Sequence, residues 1–256
     1  MESDDTSVPM LGSQTTSSSR GRVSLLKVRH VSIIASLLPA SALIICVLTS
    51  LHMHFYQTTN THCKVKNWLP SLSALVALRP EKYIWKTAVA LHFWPRVMMM
   101  VTYFQYNRMR DSSFWSWLVE IIFFLELTCL TVLTCVTSLD NFRVHRNSFF
   151  AFIAFSTLHM VVRVHQSRRL LKRNYMTLTL VKRKLMITVL YFVSVILAAL
   201  MYIMHNTLCI AGFYTLFALC EYIVVIINLT FHNLVASNFS DHLLFIKPGE
   251  LFAISA

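Results

Sequence analysis

The sequence predicts an all-α, polytopic membrane protein: a helical bundle of about six transmembrane helices with both termini in the cytosol. Hydrophobic residues make up 56% of the 256-residue chain, and its mean hydropathy is +0.58. Charged residues make up 13%, against roughly 25% in an average soluble protein. Glycine and proline are scarce, at 4 and 6 residues. A turn-rich β architecture is therefore not expected.

Six windows are long and apolar enough to be spans, because a transmembrane helix needs about 20 mostly apolar residues. They are residues 31–51, 84–104, 117–138, 148–164, 185–204 and 211–231. The fourth window is the shortest, so its complete crossing of the bilayer is left open. Composition divides the chain into a disordered cytosolic tail (1–29), the transmembrane bundle (30–233) and a cytosolic C-terminal tail (234–256).

Lysine and arginine are distributed unequally between the two sides of the predicted bundle. The side with both termini carries about twice as many as the other, and much of that excess lies in residues 163–184. Cytosolic segments are enriched in these residues, which places both termini in the cytosol and the 52–83 loop in the lumen or outside the cell. The basic segment 163–184 either contacts anionic membrane lipid or only sets the orientation.

The formal net charge of +12 does not indicate a nucleic-acid partner. Most of the basic residues flank apolar helices and do not form a soluble patch, so no nucleic-acid binding is expected. Of the six cysteines, only Cys63 and Cys209 fall in the predicted luminal loops. Because the secretory lumen is oxidising, we expect a disulfide between them.

Ionisable residues inside the predicted spans are the candidates for function, since they are costly in hydrocarbon and tend to face an interior or a cavity. Arg96, Glu126 and Glu221 each lie near the middle of a span, and their opposite charges predict pairing. Glu120 lies nearer the cytosolic side. His92 shares a helix face with Arg96.

The last span carries a second polar stripe. Glu221, Asn228 and His232 are spaced seven and four residues apart, which places them on one face of a helix. Three interpretations of these polar residues stay open. They form an interior ion pair that fixes helix packing, or a polar pocket that holds a lipid headgroup or handles a proton. In the third, a span boundary is wrong and one of the charges is exposed.

No standard catalytic motif is present. The chain lacks a G-x-S-x-G elbow, an H-E-x-x-H helix and a glycine-rich phosphate loop. The luminal histidines match no zinc-ligand spacing, so neither a metal nor a cofactor is expected. These are His52, His54, His62, His145 and His205. The residues alone therefore indicate a membrane bundle with a polar interior but name no reaction.

Three parts of the chain resemble one family. They are THCKVKNWLPSLSA at 61–74 with RPEKYIWKTAVALHFWPR at 79–96, SLDNFRVHRNSFFAFIAFSTLHM at 138–160, and HNTLCIAGFYTLFALCEYIVVIINLTFHN at 205–233. These stretches resemble the family of post-GPI attachment to proteins factor 2, among the Frag1/DRAM/Sfk1-like membrane proteins. The resemblance covers most of residues 30–233, and the segment 163–184 diverges from it.

The resemblance implies a multi-pass protein of the Golgi membrane, or of the ER membrane, that acts in GPI-anchor maturation. Members are needed when a lyso-GPI anchor is reacylated with a saturated chain, which supports stable surface expression of GPI-anchored proteins. The implied partners are the GPI-anchor lipid, an acyl donor and membrane lipids. Whether the chain is itself the acyltransferase is left open. The alternatives are a noncatalytic factor that binds and presents lyso-GPI, and a lysosomal autophagy regulator of the related family.

Several interior polar residues are among the positions that carry the resemblance, which favours a lipid-headgroup pocket. The headgroup candidates are Arg96, Glu126, Asn228 and His232, and the catalytic candidates, none of them established, are His205, His92 and Glu221. Arg96 could hold the anchor phosphate through paired hydrogen bonds. His205 could act as a base toward a glycerol hydroxyl. His159 also carries the resemblance, without an assigned role.

Overall fold

The computed structural model describes residues 23–110, 114–237, 243–247 and 250–255. Within these ranges the chain forms six long helices, two short ones and three short strands. In order they are β1 (Val23–Lys27), α1 (Val28–Met53), α2 (Phe55–Thr59), α3 (Leu72–Leu75), α4 (Glu81–Arg110), α5 (Phe114–Cys135), α6 (Phe142–Lys172), α7 (Leu178–Leu208), α8 (Phe213–Ala236), β2 (Leu243–Lys247) and β3 (Glu250–Ser255).

The predicted polytopic helical bundle is confirmed. Five helices, α1, α5, α6, α7 and α8, are long and apolar enough to cross a membrane. The remaining long helix, α4, has 30 residues and packs along α1, but it is more polar than the other five. It connects the far end of α1 to the beginning of α5, so it crosses the same thickness of the bundle.

The six long helices form a closed ring in chain order. Each packs against the next, and α8 returns to pack against α1. The largest apolar cluster inside the ring takes residues from α1, α4, α5, α6, α7 and α8, among them Tyr103, Phe123, Met160, Tyr191 and Phe231. Large hydrophobic side chains also cover the outside of the bundle. An apolar outside is what a lipid environment requires, because lipid solvates these side chains as well as the core does.

The two ends of the bundle differ. We call the end formed by residues 54–80, 136–141 and 209–212 the disulfide end, because Cys63 and Cys209 are joined there by a disulfide. The opposite end, the terminal end, carries β1 and the α6–α7 loop at residues 173–177. A hydrogen bond from Arg173 to the carbonyl of Arg110, 3.0 Å long, ties that loop to the end of α4.

The fourth predicted span and the basic segment after it have different bounds in the structure. Helix α6 has 31 residues and continues to Lys172, well past the predicted window 148–164. The basic segment 163–184 is therefore mostly helical, with a loop only at residues 173–177. The buried face of α6 continues through Arg163, Ser167 and Leu170 at helical spacing, so the charged residues do not end the helix.

Residues 23–29 of the predicted N-terminal tail are among the described residues. β1 pairs antiparallel with β2, which pairs antiparallel with β3, and α1 begins at Val28. Residues 23–29 thus form β1 and the beginning of α1, and β2 and β3 fall in the region 234–256. Composition could not indicate this, because the strand pairing joins opposite ends of the chain. Residues 1–22 of the predicted tail lie outside the described residues.

Candidate functional site in the centre of the bundle

A buried carboxylate lies at the centre of the ring. Glu126 lies near the middle of α5 and is 3% exposed. Its Oε1 accepts a hydrogen bond of 2.9 Å from Nδ2 of Asn228 and lies 3.3 Å from Nε2 of His232. Its Oε2 lies 2.9 Å from Nδ1 of His159. We call Glu126, His159, Asn228 and His232 the central cluster.

Helical spacing explains how these side chains meet. Asn228 and His232 are four residues apart on α8, so both face the interior. Ser156 and His159 are three residues apart on α6, and Ser156 Oγ accepts a second hydrogen bond of 2.6 Å from Asn228 Nδ2. The carboxylate of α5 thus joins the next helix, α6, to the last one, α8.

Phe123 fixes the planes of the two histidine rings. It lies one turn before Glu126 on α5. Its ring stacks on that of His159 with centroids 4.9 Å apart and on that of His232 with centroids 5.1 Å apart. The two imidazoles also stack on each other, 5.1 Å apart. Rotation of either ring would break these contacts, so their nitrogens are held in fixed directions.

The central cluster keeps unused hydrogen-bonding atoms. Among the described residues, His159 Nε2 and His232 Nδ1 are buried without a hydrogen-bond partner. The His159 Nδ1–Glu126 Oε2 contact has the length of an ion pair, although the ring is not aligned for a straight hydrogen bond. A histidine with a carboxylate at one nitrogen and an open second nitrogen has the arrangement of a general base. Buried polar atoms without partners also indicate a place where a ligand can bind.

Arg96 and His92 lie beside the central cluster on α4. Arg96 Nε donates a hydrogen bond of 3.0 Å to Nε2 of His92, whose other nitrogen contacts the carbonyl of Ala35 on α1. The guanidinium carbon of Arg96 is 5.9 Å from the centroid of the Phe123 ring. Arg96 therefore adds a buried positive charge close to the cluster.

The expected pairing of Arg96, Glu126 and Glu221 is wrong. Neither carboxylate is ion-paired with Arg96 among the described side chains. Glu126 is occupied by two histidines and an asparagine. Glu221 lies two turns nearer the disulfide end, where its Oε2 accepts a hydrogen bond of 2.9 Å from the backbone N–H of Leu72 at the beginning of α3. The sequence indicates that the three charges lie at one depth, but it does not show which neighbours form their hydrogen bonds and ion pairs.

The other catalytic candidate, His205, also lies away from the central cluster. Its Nε2 is 3.0 Å from the hydroxyl of Thr61, and its ring centroid is 5.4 Å from that of Tyr214. The adjacent Cys63–Cys209 disulfide anchors the 61–74 loop to the end of α7. Of the predicted candidates, the structure brings together Glu126, Asn228 and His232, places Arg96 and His92 beside them, and separates His205 and Glu221 from them.

A second polar cluster lies one turn toward the terminal end. The guanidinium of Arg163 donates a hydrogen bond of 2.9 Å to Oε1 of Glu120 and another of 3.0 Å to Oε1 of Gln166. Lys184, fully buried on α7, lies 3.1 Å from Oγ of Ser167. A small cavity, which we call the terminal-end cavity, is lined by Arg163, Gln166, Ser167 and Lys184 but not by Glu120. The sequence predicts Arg163 and Lys184 as part of the basic segment between two spans. The spacing of Arg163, four residues after His159 on one helix face, is the signal that could have found it.

The central cluster also has a metal-ligand composition. Glu126, His159 and His232 each offer one ligand atom, and these atoms lie within 4.8 Å of one another. Two histidines and a carboxylate can hold iron or zinc. The nearby charge of Arg96 opposes a second cation, which makes proton transfer the simpler use of the cluster. The prediction that no metal is bound stays a prediction.

Comparison with known proteins identifies relatives along most of the chain. Residues 27–242 match the family model described as Frag1/DRAM/Sfk1/Cwh43P N-terminal domain. A Xenopus tropicalis protein, acyltransferase PGAP2, is 36% identical over 245 residues, which cover 90% of this chain and 96% of the relative.

Two invertebrate proteins named post-GPI attachment to proteins factor 2 are similarly close. The one from Caenorhabditis elegans is 35% identical over 76% of this chain and 79% of its own length. The one from Drosophila melanogaster is 34% identical over 79% of this chain and 82% of its own length. No solved structure matches the chain.

Proposed function

Because this chain belongs to the Frag1/DRAM/Sfk1/Cwh43P family, we propose that it is a membrane acyltransferase of GPI-anchor maturation. It transfers a saturated fatty acyl chain to the free glycerol hydroxyl of a lyso-GPI anchor. The observation that carries this proposal is the buried His159–Glu126 pair, whose open Nε2 provides a base at the level of the lipid chains. The relative named acyltransferase PGAP2 supports the reaction class.

The central cluster supplies the proton transfers that acyl transfer needs. His159 Nε2 takes the proton of the acceptor hydroxyl while the hydroxyl oxygen attacks the acyl carbonyl of the donor. The carbonyl becomes a tetrahedral oxyanion. When it collapses, the bond to the donor's leaving group breaks, and His159 returns its proton to that group. Glu126, 2.9 Å from Nδ1, stabilises the imidazolium that exists between the two steps.

Arg96 is the residue that we assign to the anchor phosphate. Among the described contacts only its Nε donates a hydrogen bond, to His92, which leaves the terminal nitrogens of the guanidinium for a ligand. A guanidinium binds a phosphate through two parallel hydrogen bonds. His92 holds the side chain of Arg96 from the disulfide side. In this role Arg96 positions the acceptor beside His159, and His92 acts through Arg96 rather than as a base.

A lipid substrate needs a lateral path into the ring, and α7 offers the weakest barrier. Only five of its residues are buried, and most of the helix is exposed on the outside of the bundle. Tyr191, fully buried on α7, belongs to the same apolar cluster as Phe123 and Met160 of the interior. Separation of α7 from α6 would therefore open a route from the bilayer to the central cluster.

The location follows from the same proposal. The disulfide end faces the lumen, because disulfides persist in oxidising compartments, and the terminal end faces the cytosol. The Golgi membrane is the compartment that we assign, with the GPI-anchored proteins that pass through it as substrates. The names of the relatives favour this role over that of a lysosomal autophagy regulator.

Reconstitution tests the proposal. The purified full-length chain is placed in liposomes with lyso-GPI and a saturated acyl donor, and acyl transfer is measured by mass spectrometry. The change His159→Gln is expected to lower kcat by about 10²- to 10⁴-fold, the usual range for a general base. His165→Gln, on the exposed side of the same helix, is the matched control and keeps the wild-type rate. Tight binding of lyso-GPI by wild type without turnover would instead identify a noncatalytic presenting factor.

A further inference from the structure

We propose that the terminal-end cavity binds the phosphate group of the acyl donor. This inference rests on the proposed acyltransferase function and adds the substrate that the sequence left unassigned. The cavity lies between α4, α6, α7, α8 and the α6–α7 loop, and its charged lining residues are Arg163 and Lys184. The donor would thus bind at the opposite side of His159 from Arg96.

The charges around the cavity do not balance. Glu120 neutralises Arg163 at 2.9 Å. Among the side chains that the structure describes, Lys184 forms no ion pair. Its ammonium contacts only neutral atoms, Oγ of Ser167 at 3.1 Å and the sulfur of Met176 at 3.8 Å. A lysine is rarely buried completely without an anionic partner. Among the described side chains, the cavity therefore has one positive charge more than its neighbours compensate, and a bound anion would supply a partner.

The cavity is small, with a space of about 10 Å³ that holds one water molecule. Met176, in the five-residue loop between α6 and α7, covers Lys184 on one side. A methionine side chain has several rotatable bonds and repacks easily. Displacement of Met176 would therefore admit a phosphate group from the terminal end without a change in the helices.

The position of the cavity suits a donor whose acyl ester must reach His159. Arg163 is one helical turn, about 6 Å, from His159 along α6. Tyr103 lies between the two sites. Its ring centroid is 5.3 Å from the guanidinium carbon of Arg163, and its side chain belongs to the same apolar cluster as Phe123. In a glycerophospholipid only a few covalent bonds separate the phosphate from the ester carbonyls. A phosphate at Lys184 would therefore place an ester near the base.

A glycerophospholipid and an acyl-CoA both carry an acyl group and a phosphate, but only in the glycerophospholipid are the two groups a few bonds apart, so it is the expected donor. The experiment therefore measures acyl transfer to lyso-GPI with dipalmitoyl phosphatidylcholine in one arm and with palmitoyl-CoA in the other. The arm that supports turnover identifies the source. In that arm the donor concentration is varied at saturating lyso-GPI, and the lyso-GPI concentration is varied at saturating donor.

Lys184→Met removes the charge and keeps the volume of the side chain. Its expected effect is a rise of about tenfold or more in KM for the donor, with kcat and the KM for lyso-GPI within about twofold of wild type, because one charged hydrogen bond is lost. Lys184→Arg should restore most of the donor affinity. The matched control is Lys182→Gln, an exposed residue of the same helix, which leaves all three constants unchanged.

Two results would overturn the inference. One is a Lys184→Met enzyme with wild-type KM for both donors. The other is a variant in which lower thermal stability and lower kcat appear together without a change in donor KM, which marks Lys184 as structural. If wild type transfers no acyl group at all, the acyltransferase proposal fails. Crosslinking with a photoreactive phosphatidylcholine then still tests the cavity, since wild type but not Lys184→Met should be labelled at the α6–α7 loop.

Discussion

The central cluster and the disulfide end contain the same kinds of residue but use them differently. At the disulfide end, Glu221 accepts a backbone N–H and His205 contacts a threonine hydroxyl, so these side chains hold loops in place. In the central cluster, the polar side chains contact one another, and two imidazole nitrogens keep no partner among the described residues. Buried atoms without a partner also occur at the disulfide end, among them Nδ1 of His205. The difference teaches that contacts among polar side chains from several helices, rather than residue type or burial, separate a candidate site from structural polarity.

The largest expected difference between the two regions comes from removing one carboxylate charge in each. Glu126→Gln keeps the shape of the side chain but cannot stabilise an imidazolium at His159. We expect kcat for acyl transfer to fall by about 10²- to 10⁴-fold. Glu221→Gln keeps an oxygen that can accept the N–H of Leu72, so we expect most of the activity to remain. Initial rates at saturating substrates, with thermal melting as a check on folding, measure both.

The two variants are a well-matched comparison, because both residues are buried glutamates of apolar spans. Similar losses of activity in the two variants, at unchanged stability, would contradict the separation of the regions. Full activity of Glu126→Gln would remove His159 and Glu126 from the proposed chemistry.

The next prediction concerns the stability of the disulfide end. The Cys63–Cys209 bond closes a loop with a sequence separation of 146 residues, and such a crosslink restricts the unfolded chain. The double change Cys63→Ser with Cys209→Ser should lower the free energy of unfolding by about 2–5 kcal/mol. Thermal melting in detergent measures the loss. The kcat of the protein that stays folded should remain close to wild type, because the bond lies away from the central cluster.

Cys135→Ser is the matched control for this change, since Cys135 is an exposed free thiol at the end of α5. Its melting temperature should equal that of wild type. An equally large loss in the control would mean that the crosslink is not the cause of the destabilisation. A selective loss of kcat in the disulfide variant would show that the two regions are coupled.

Much of the fold could be predicted from hydropathy, because the bilayer makes apolar length informative by itself. Each of the six predicted windows overlaps one long helix, and four lie entirely within it, including 84–104 within the more polar α4. The window 117–138 runs past the end of α5, and 211–231 begins before α8. The errors occur where charged side chains are buried and contact other polar groups inside the protein. Arg163 and Lys184 look like loop residues in a hydropathy window, yet both are buried, and Arg163 is neutralised by Glu120. A window cannot detect a partner that belongs to another helix.

The candidate site could be predicted in part for the same reason. The spacing of Asn228 and His232 placed both on an interior face, and depth brought Glu126 to their level. The resemblance included His159 but gave it no role, and depth gave Arg96 the wrong partners. Which interior groups touch depends on the order and rotation of the helices in the ring. Those properties come from packing contacts that are distant in sequence.

The smallest expected effect belongs to an exposed ion pair at the disulfide end. Hydrogen bonds from Lys82, and then from Thr137, hold the pKa of Asp140 well below its usual value. Lys82 Nζ lies 2.8 Å from Oδ1 of Asp140, and the Thr137 hydroxyl lies 2.8 Å from Oδ2. A carboxylate whose pKa is lowered by folding stabilises the protein above its unfolded pKa of about 3.9. That contribution is lost as the pH falls below it.

Lowering the pH from about 6 to about 3 across that unfolded value should therefore reduce the melting temperature of wild type slightly more than that of Asp140→Asn. The side chain of Asp140 is 41% exposed, so solvent screens the pair and the difference is small. Lys82→Met removes the cation of the same ion pair and should reduce the pH dependence of the melting temperature to a similar degree. Identical pH profiles in wild type and Asp140→Asn would mean that the pair does not connect α4 to the α5–α6 loop in solution. In that case the disulfide alone, rather than its charged neighbours, would give this end its rigidity.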